Sequence, residues 1–309
     1  WARRVCAEVH ARSNRGQPLP RSLELQYRLA SRLVIVRLKA ALGLDRARNL
    51  LSGAAPIAPD VLEFFASLDL PIREVYGQSE GNGLTSYNLV NRTRFGSVGA
   101  PIAGLQVKIA EDGEILVKGP NVFLGYYKEP EATAETLDGG WLRSGDLGAL
   151  DADGYLTITG RKKEIIITTG GKNIAPKNIE AALKQLPLIG EAVVIGDRRR
   201  YLTALVTLDD AAAKKLAPAA DSPAARAAAP EVRAAIQAQL DRVNESLARV
   251  EQVKKFTVLP RPFGLDSGEL TPTLKLKRKV IAERYAAEID AMYADGEPAG
   301  PASPGAGRS

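Results

Sequence analysis

The sequence predicts an α/β architecture that continues into a compact α+β domain. Residues 21–42 and 59–68 carry apolar side chains at helical spacing, and IREVYG at 72–77 has the pattern of a short buried strand that ends in a turn. From 95 to 160, short segments of alternating polarity follow one another, separated by Gly and Asp. That alternation is typical of a small antiparallel barrel or sandwich. We therefore predict part of a parallel sheet with its helices, followed by a small β-barrel.

The compact α+β domain is predicted directly after the barrel. IIITT at 165–169 has strand character, and Pro176 opens a helix that should run to about Leu186. Two further strands are predicted at 191–196 and 201–208. Strands and a helix in this order are typical of a small domain with its own core.

The C-terminal stretch is predicted to contain a loop, two helices and a strand. Residues 210–230 are rich in Ala and Pro and poor in large apolar groups, which indicates a mobile loop or surface insertion. Helical periodicity with one apolar face returns at 231–250, and FTVL at 256–259 has strand character. A final helix should reach about Tyr293, before a tail too poor in apolar groups to order. The predicted domains are 1–160, 161–293 and a disordered tail at 294–309.

Composition limits the class of protein. The chain has 309 residues, of which 45% are hydrophobic, so it can bury a sizeable core. The absence of a long apolar run and of a secretory signal pattern predicts a cytoplasmic protein. One cysteine, Cys6, and one histidine, His10, argue against an intramolecular disulfide, a Cys/His zinc cluster and a histidine-based hydrolase triad. His10 itself is predicted to be a surface residue on an arginine-rich helix.

Charge and the first residue give two further expectations. A net charge of +6 suits ATP, CoA, an anionic membrane surface or a polynucleotide equally well. Aromatic residues make up only 6% of the chain and are not interleaved with the lysines, which argues against nucleic acid as the partner. Trp1 stands in place of an initiator methionine and opens directly into a helical pattern, so the chain is expected to be a fragment. The oligomeric state has no signature in the sequence.

Residues 154–180 form the most informative block. Gly170 and Gly171 permit backbone angles and close approaches that a side chain would prevent. Four cationic side chains bring positive charge to the same surface: Arg161, Lys162, Lys163 and Lys172. The block is therefore predicted to handle an anion, although two strands joined by a Gly-Gly turn with solvated lysines would give the same pattern.

Five further motifs surround this block in a fixed order: SGAAP at 52–56, YGQSEG at 76–81, GEILVKGPNVFLGYYKEPEAT at 113–133, GWLRSGD at 140–146 and LTPTLKLKR at 270–278. Together with the block, they resemble the adenylate-forming enzymes, the family of acyl-CoA synthetases, firefly luciferase and the adenylation domains of peptide synthetases. The resemblance extends from about residue 45 to 290. It implies the C-terminal part of a large AMP-binding domain, followed by a small mobile lid domain.

The resemblance implies a site for ATP and Mg²⁺. Glu80 corresponds to the catalytic carboxylate that helps hold Mg²⁺, a hard ion that takes oxygen ligands. Alone, a Ser-Glu pair after a strand would indicate a helix cap. Asp146 corresponds to the carboxylate that accepts hydrogen bonds from both ribose hydroxyls, and Tyr76 to the aromatic residue that packs against adenine. The other implied nucleotide-binding positions are Gly53, Ala54, Ala55, Gly77, Ser79 and Arg161.

The resemblance also assigns roles beyond the nucleotide. Lys275 corresponds to the lysine that acts on the α-phosphate and the attacking carboxylate, and Leu274 before it, where most relatives have glycine, resembles the long-chain fatty acyl branch. Lys163 corresponds to the hinge about which the small domain turns after adenylation. By themselves, the lysines after Leu274 would also suit a nucleic acid or membrane surface. The implied CoA-binding residues are Gly170, Gly171 and Lys172.

The implied function is that of an ATP-dependent long-chain fatty acid:CoA ligase, an acid-thiol ligase that forms an acyl adenylate and then acyl-CoA, AMP and diphosphate. ATP, Mg²⁺ and CoA are the implied cofactors and co-substrates, and a fatty acid is the implied partner, with peripheral association at the inner face of an anionic membrane left open. Two alternatives remain: an acyl-AMP ligase that loads a carrier protein, and a non-catalytic nucleotide-binding or interaction remnant. The family's Ser/Thr/Gly-rich phosphate loop does not occur in residues 1–75, so little or no ligase activity is expected of the chain alone.

Overall fold

The computed structural model describes residues 1–294, which divide into two compact units. The first unit is Trp1–Lys163, and the second begins at Glu164, close to the predicted domain limit at residue 160. The disordered tail predicted at 294–309 lies, beyond residue 294, outside the described residues. A search of the described part of the chain finds no helix with the length and apolar character needed to span a lipid bilayer.

Helices dominate the start of the first unit: α1 (Ala2–Asn14), α2 (Arg21–Ala30), a π-helical turn (Ser31–Ile35), α3 (Val36–Ala41) and, after one strand, α4 (Pro59–Ser67). Pro59 suits the first turn of α4 because the first helical N–H groups have no partner within the helix. Helix α1 packs against α2 and α4 and buries Val5, Cys6 and Val9. The helices predicted at 21–42 and 59–68 are confirmed, with the π-helical turn inside the first of them.

A four-stranded sheet follows, in the order β1 (Leu50–Ser52), β2 (Ile72–Tyr76), β3 (Ser86–Tyr87) and β4 (Ala100–Pro101). Strands β1 and β2 are parallel, whereas β3 and β4 each pair antiparallel with their predecessor. Parallel neighbours need a crossover connection, and α4 supplies it. The predicted α/β part and the strand at 72–77 are therefore confirmed.

The second sheet of the first unit is antiparallel and contains β5 (Gln106–Ile109), β6 (Glu114–Lys118), β7 (Leu137–Asp138), β8 (Trp141–Leu150) and β9 (Leu156–Arg161), with α5 (Pro130–Thr136) before β7. Its order is β5-β6-β8-β7, and β9 also pairs with β8. Ile115, Val117, Leu142 and Leu156 form its buried core. The antiparallel segments predicted at 95–160 are confirmed.

The second unit contains a two-stranded sheet, β10 (Ile166–Ile167) and β11 (Asn173–Ile174), and a three-stranded sheet, β12 (Ile189–Ile195), β13 (Leu202–Leu208) and β14 (Val253–Val258). Successive side chains of a strand point to opposite faces of the sheet. Accordingly, Ala204 and Val206 join one buried cluster, while Leu205 joins another. Strand β13 is therefore covered on both faces, as the apolar run LTALVTL requires.

Helices flank this sheet: α6 (Pro176–Leu183), α7 (Asp210–Leu216), α8 (Pro223–Ala228), α9 (Pro230–Glu245), α10 (Arg278–Arg284) and α11 (Ala286–Ala294). The apolar stripe predicted at 231–250 is buried in α9. Two predicted bounds are too long, because the strand predicted at 165–169 pairs only over Ile166–Ile167 and α6 ends at Leu183. The single final helix that was predicted is instead the pair α10 and α11.

Residues 210–230 were predicted to be a mobile loop or surface insertion, and the prediction of a loop is wrong. This stretch contains α7 and α8, whose N-termini are capped by the side chains of Asp209 and Ser222. Ala213, Ala217 and Ala227 are buried in the core cluster of the unit. Alanine has the highest helix propensity, and its small side chain lets a helix approach the core closely, so poverty in large apolar groups did not prevent packing.

A charged cluster joins the helices of the first unit around Asp69, which is 11% exposed and precedes β2. His10 Nε2, Tyr27 Oη and Lys39 Nζ lie 2.9, 2.9 and 2.6 Å from its carboxylate oxygens. Burial raises the pKa of Asp69, but hydrogen bonds from His10, Lys39 and Tyr27 outweigh it and lower the pKa to about 2. The prediction of a surface histidine is therefore wrong, because His10 is largely buried and paired with Asp69.

Candidate functional site

Three predicted nucleotide-binding residues meet at the junction of the two sheets of the first unit. Tyr76 ends β2, and Asp146 and Arg161 face each other on β8 and β9. The Tyr76 hydroxyl donates to Asp146 Oδ2 at 2.9 Å, and Arg161 Nε lies 3.3 Å from Asp146 Oδ1. Burial and the neighbouring Asp146 carboxylate raise the pKa of Tyr76, so its hydroxyl remains a proton donor at neutral pH.

The backbone around Asp146 is held by its own neighbours. Gly145 has a φ of +71°, a left-handed conformation that glycine adopts without strain. Its N–H donates to Glu114 Oε1 at 2.9 Å, and the Asp146 N–H donates to Ser144 Oγ at 3.1 Å. The SGD segment is therefore a fixed irregularity within strand β8 that presents one short carboxylate beside a phenol and a guanidinium.

This arrangement can bind a sugar diol next to an aromatic ring. Each carboxylate oxygen has two lone pairs, so Asp146 can accept further hydrogen bonds from a ligand while it keeps those from Tyr76 and Arg161. Arg161 is half exposed, and its charge compensates Asp146 and any nearby phosphate. These donors and acceptors suit the ribose hydroxyls and the phosphate of a nucleotide.

The loop after β2 carries Glu80 in a 3₁₀ turn, Ser79–Gly81. The segment 121–126 holds it from a second direction. Phe123 N–H donates to the Glu80 carbonyl at 2.8 Å, Asn121 Nδ2 donates to the Gly81 carbonyl at 2.7 Å, and the Tyr126 hydroxyl donates to Glu80 Oε1 at 2.7 Å. Asn121 and Tyr126 belong to the motif at 113–133, but nothing in their local sequence predicted these contacts.

The loop suits a magnesium ion that takes some of its oxygen ligands from the protein and the others from phosphate and water. No group of three or more His, Cys, Asp or Glu side chains that could hold a metal occurs within residues 1–294. Mg²⁺ commonly takes one or two carboxylates and completes its shell with water and substrate phosphates. Glu80, partly exposed, can supply one such oxygen.

Glycine is required at Gly77 for steric reasons. A Cβ at this position would lie 1.7 Å from the Gly83 carbonyl oxygen, because the loop folds back on itself there. Gly53 is also confined, since a Cβ would lie 2.8 Å from Val75 Cγ2. The exposed residues Gly53, Ala54 and Ala55 follow β1, at the same edge of the parallel pair as the end of β2. Ligands of α/β sheets bind at this edge.

The predicted CoA residues lie in the second unit, in the turn between β10 and β11. Gly171 has a φ of +72°, whereas the φ of Gly170 needs no glycine. Thr169 N–H donates to the Arg199 carbonyl at 3.0 Å, which ties the turn to the loop between β12 and β13. Lys172 is exposed. Lys163, the predicted hinge, is the last residue of the first unit.

Lys275 is exposed on a short hairpin of the second unit, between the bridge-paired residues Leu270 and Leu276. Leu274 precedes it with a φ of +59° and is 66% exposed. Glycine, the residue that the resemblance implies at this position, adopts this left-handed conformation without strain, whereas leucine does not. The structure thus brings together Tyr76, Asp146 and Arg161 in the first unit and places the Gly170–Lys172 turn and Lys275 in the second.

Two family descriptions match the chain. "AMP-binding enzyme" covers residues 19–127, and "AMP-binding enzyme C-terminal domain" covers residues 163–297. The long-chain-fatty-acid–CoA ligase FadD15 of Mycobacterium tuberculosis is 43% identical over 276 residues, which is 88% of this chain and 46% of that protein. The long-chain-fatty-acid–CoA ligase ACSBG2 of Xenopus laevis is 40% identical over 326 residues, covering 96% of this chain and 43% of that protein.

Solved structures with a similar fold also include adenylation domains and CoA synthetases. The adenylation domain of a carboxylate reductase from Mycobacterium chelonae is 26% identical, with a TM-score of 0.68 over 95% of this chain and 45% of that one. The o-succinylbenzoate CoA synthetase of Bacillus subtilis, in complex with ATP and magnesium ion, is 29% identical, with a TM-score of 0.58. The match covers 75% of this chain and 46% of that one. The chain spans about half the length of the curated relatives it matches. With both domain descriptions matched in order along the residues described above, the chain belongs to the AMP-binding enzyme family.

Proposed function

We propose that this chain is the nucleotide-handling and lid portion of an ATP-dependent long-chain fatty acid:CoA ligase. The observation that carries the proposal is the contact of Asp146 with both Tyr76 and Arg161, which places a ribose acceptor on β8 beside an aromatic ring from β2 and a cation from β9. The identity to long-chain-fatty-acid–CoA ligases over most of the chain supports the choice of substrate class.

The proposed reaction has two steps. A fatty acid carboxylate oxygen attacks the α-phosphorus of ATP, and the bond to the β-phosphate breaks, which releases diphosphate and leaves an acyl adenylate. A CoA thiol then attacks the acyl carbonyl, loses its proton, and displaces AMP. Negative charge builds on the phosphoryl oxygens in the first step, so fixed cations accelerate it.

The residues divide between these steps. Asp146 and Tyr76 hold the ribose and adenine, Glu80 would ligate Mg²⁺, and Lys275 supplies the mobile cation for adenylation. Bound Mg²⁺ would neutralise phosphate charge. Lys163 is the hinge, and the turn containing Gly170, Gly171 and Lys172 serves the CoA step. The remaining nucleotide contacts proposed are Gly53, Ala54, Ala55, Gly77, Ser79 and Arg161.

Nucleotide binding tests the carrying observation on the chain itself. AMP binding is measured by calorimetry for the unaltered chain, for Asp146→Asn and for the control Asp138→Asn, an exposed carboxylate on the same sheet. Hydrogen bonds to a charged group contribute about 1.5–3 kcal/mol, so Asp146→Asn should weaken AMP binding by about tenfold or more. The control should bind as the unaltered chain does. Equal dissociation constants for all three proteins would reject the ribose site.

The thiol acceptor tests the reaction class. The complete translated protein, of which these residues are all or part, receives palmitate, ATP and Mg²⁺ with either CoA or an acyl carrier protein. Palmitoyl-CoA is the expected product, and acylation of the carrier protein alone would establish the alternative ligase. AMP binding without any acyl adenylate would favour a non-catalytic nucleotide-binding module. Little or no turnover by the 309 residues alone is part of the proposal.

A cytoplasmic location with peripheral attachment to anionic membrane belongs to the same proposal. The net charge of +6 supports it. Cosedimentation with vesicles tests it, since binding should need anionic lipid and should weaken as salt is added. Equal cosedimentation with neutral vesicles would reject the electrostatic attachment.

A further inference from the structure

Glu269 is the most completely satisfied buried carboxylate described in the second unit. Its side chain is 0% exposed and lies just before the hairpin that carries Lys275. The carboxylate accepts hydrogen bonds from five residues: Arg261, Gly264, Ser267, Arg284 and Tyr285. Arg261 Nη1 and Nη2 donate to the two carboxylate oxygens at 3.0 and 2.8 Å, which fixes the plane of the carboxylate.

The backbone of the same residue closes the base of the hairpin. Lys277 N–H donates to the Glu269 carbonyl at 2.8 Å, and Glu269 N–H donates to the Gly264 carbonyl at 3.1 Å. Glu269 thus joins the chain that enters the hairpin to the chain that leaves it, while its side chain anchors both to α10 through Arg284.

The tip of the hairpin is a tight turn with its own hydrogen bonds. Thr271 N–H donates to the Lys275 carbonyl at 2.8 Å, and Lys275 N–H donates to Thr271 Oγ1 at 2.9 Å. Leu274 N–H donates to the Thr271 carbonyl at 2.8 Å. The tip is therefore a small rigid body, and the position of Lys275 Cα depends on how firmly its base is held.

We infer that Glu269 is a positioning residue for Lys275, holding the hairpin base so that the backbone of the lysine keeps one geometry within the second unit. The inference rests on the proposed function, because it assigns to Lys275 the adenylation step. The Lys275 side chain is long and exposed, so its backbone is the only part that the second unit can fix. A displacement of about 1 Å at a reacting group can cost about a hundredfold in rate.

The two steps of the reaction separate positioning from general stability. Lys275 serves only adenylation, so Glu269→Gln in the complete translated protein should slow palmitoyl adenylate formation about tenfold to hundredfold. Transfer of the palmitoyl group from preformed palmitoyl adenylate to CoA should change by less than about threefold. Tyr285→Phe, which removes a single donor to Glu269, should show the same pattern with a smaller loss and serves if the first variant fails to fold.

Two controls sharpen the test. Ile236→Ala removes a buried side chain from the core cluster that contains Ala204 and Val206, and it should destabilise the second unit without selective loss of adenylation. The double variant of Glu269→Gln with Lys275→Ala should form adenylate no more slowly than Lys275→Ala alone, because a residue that acts through the lysine adds nothing once the lysine is gone.

Three results would overturn the inference. They are equal loss of both steps in Glu269→Gln, an unchanged adenylation rate, or additive effects in the double variant. Failure of the proposed function appears differently, as no palmitoyl adenylate from the unaltered protein or no effect of Lys275→Ala. Amide hydrogen exchange on the 309-residue chain adds a readout without activity, since Glu269→Gln should speed exchange at Lys275 and Lys277 at least about tenfold.

Discussion

Replacing Asp69 with asparagine tests the charged cluster of the first unit. Asparagine keeps the size of the side chain and tolerates the left-handed φ of +58° found at this position. It removes the negative charge that faces His10, Lys39 and Tyr27. The pKa of Asp69 is lowered from 3.8 to about 2, and this difference corresponds to about 2 kcal/mol of stability at neutral pH.

The pH dependence of the loss distinguishes charge from shape. A carboxylate whose pKa is depressed in the folded state stabilises the fold above its unfolded pKa and loses that contribution as pH falls towards 2. Asp69→Asn should therefore be about 2 kcal/mol less stable at pH 7, and the difference should shrink below pH 4.

Tryptophan fluorescence can follow this effect in urea titrations. The chain has two tryptophans, Trp1 and Trp141, and both belong to the first unit, so their emission reports on that unit. The control is Asp45→Asn, an exposed carboxylate that should change stability by less than about 0.5 kcal/mol. The reasoning is refuted by equal stability of Asp69→Asn and the unaltered chain at pH 7, or by a difference that acid leaves unchanged.

Three further changes probe strain, crowding and a buried acid. Leu274→Gly should stabilise the second unit by about 0.5 kcal/mol, because relief of the left-handed strain slightly exceeds the cost of the added entropy of the unfolded chain. Hydrogen exchange of the amides of the second unit measures this gain, and a loss of protection would contradict it. Gly77→Ala should reduce AMP binding at least about tenfold in calorimetry, because its Cβ would collide with the Gly83 backbone, and unchanged affinity contradicts the close approach. Burial raises the pKa of Glu74 to about 7 despite the hydrogen bond from Gly96, so stability falls as pH rises from 4.5 to 7. Glu74→Gln should then gain about 1–3 kcal/mol at pH 8 by tryptophan fluorescence, and a loss contradicts the sign.

The sequence was informative where local chemistry determines local structure. Periodicity predicted the helices at 21–42 and 59–68, and a strand was predicted at 201–208, where the structure has β13. Alanine-rich residues 210–230 were misjudged because burial there depends on small side chains lying close to a sheet, a condition that only the tertiary fold reveals. Helix propensity and the capping residue Asp209 carried the missing signal.

The motifs predicted which residues belong to the candidate site, but not the contacts that these residues make. Tyr76 lies 70 residues before Asp146 in the sequence, and the resemblance alone indicated that Tyr76, Asp146 and Arg161 belong to one site. The bond from Tyr126 to Glu80 joins residues 46 apart, and an aromatic residue in GYYKEP has several equally good partners from sequence alone. Long-range pairing of this kind follows from the arrangement of the sheets, which no local pattern encodes.

Both units hold the segment that carries a site residue by means of a buried carboxylate just upstream of it. Asp69 precedes β2, which ends at Tyr76, and Glu269 precedes the hairpin of Lys275. Both carboxylates have a pKa of about 2, lowered by hydrogen bonds that outweigh burial. Each contribution is complete above the unfolded pKa and is lost as pH falls towards 2, so acid should weaken both units over the same range.

Two variants separate the acid response of the first unit from that of the second. Asp69→Asn should remove acid sensitivity only from the transition seen by tryptophan fluorescence. Glu269→Gln should do so only for hydrogen exchange in the second unit. If either substitution changed the acid response of both units equally, the two carboxylates would not act locally, and the idea that each stabilises its own site-bearing segment would fail.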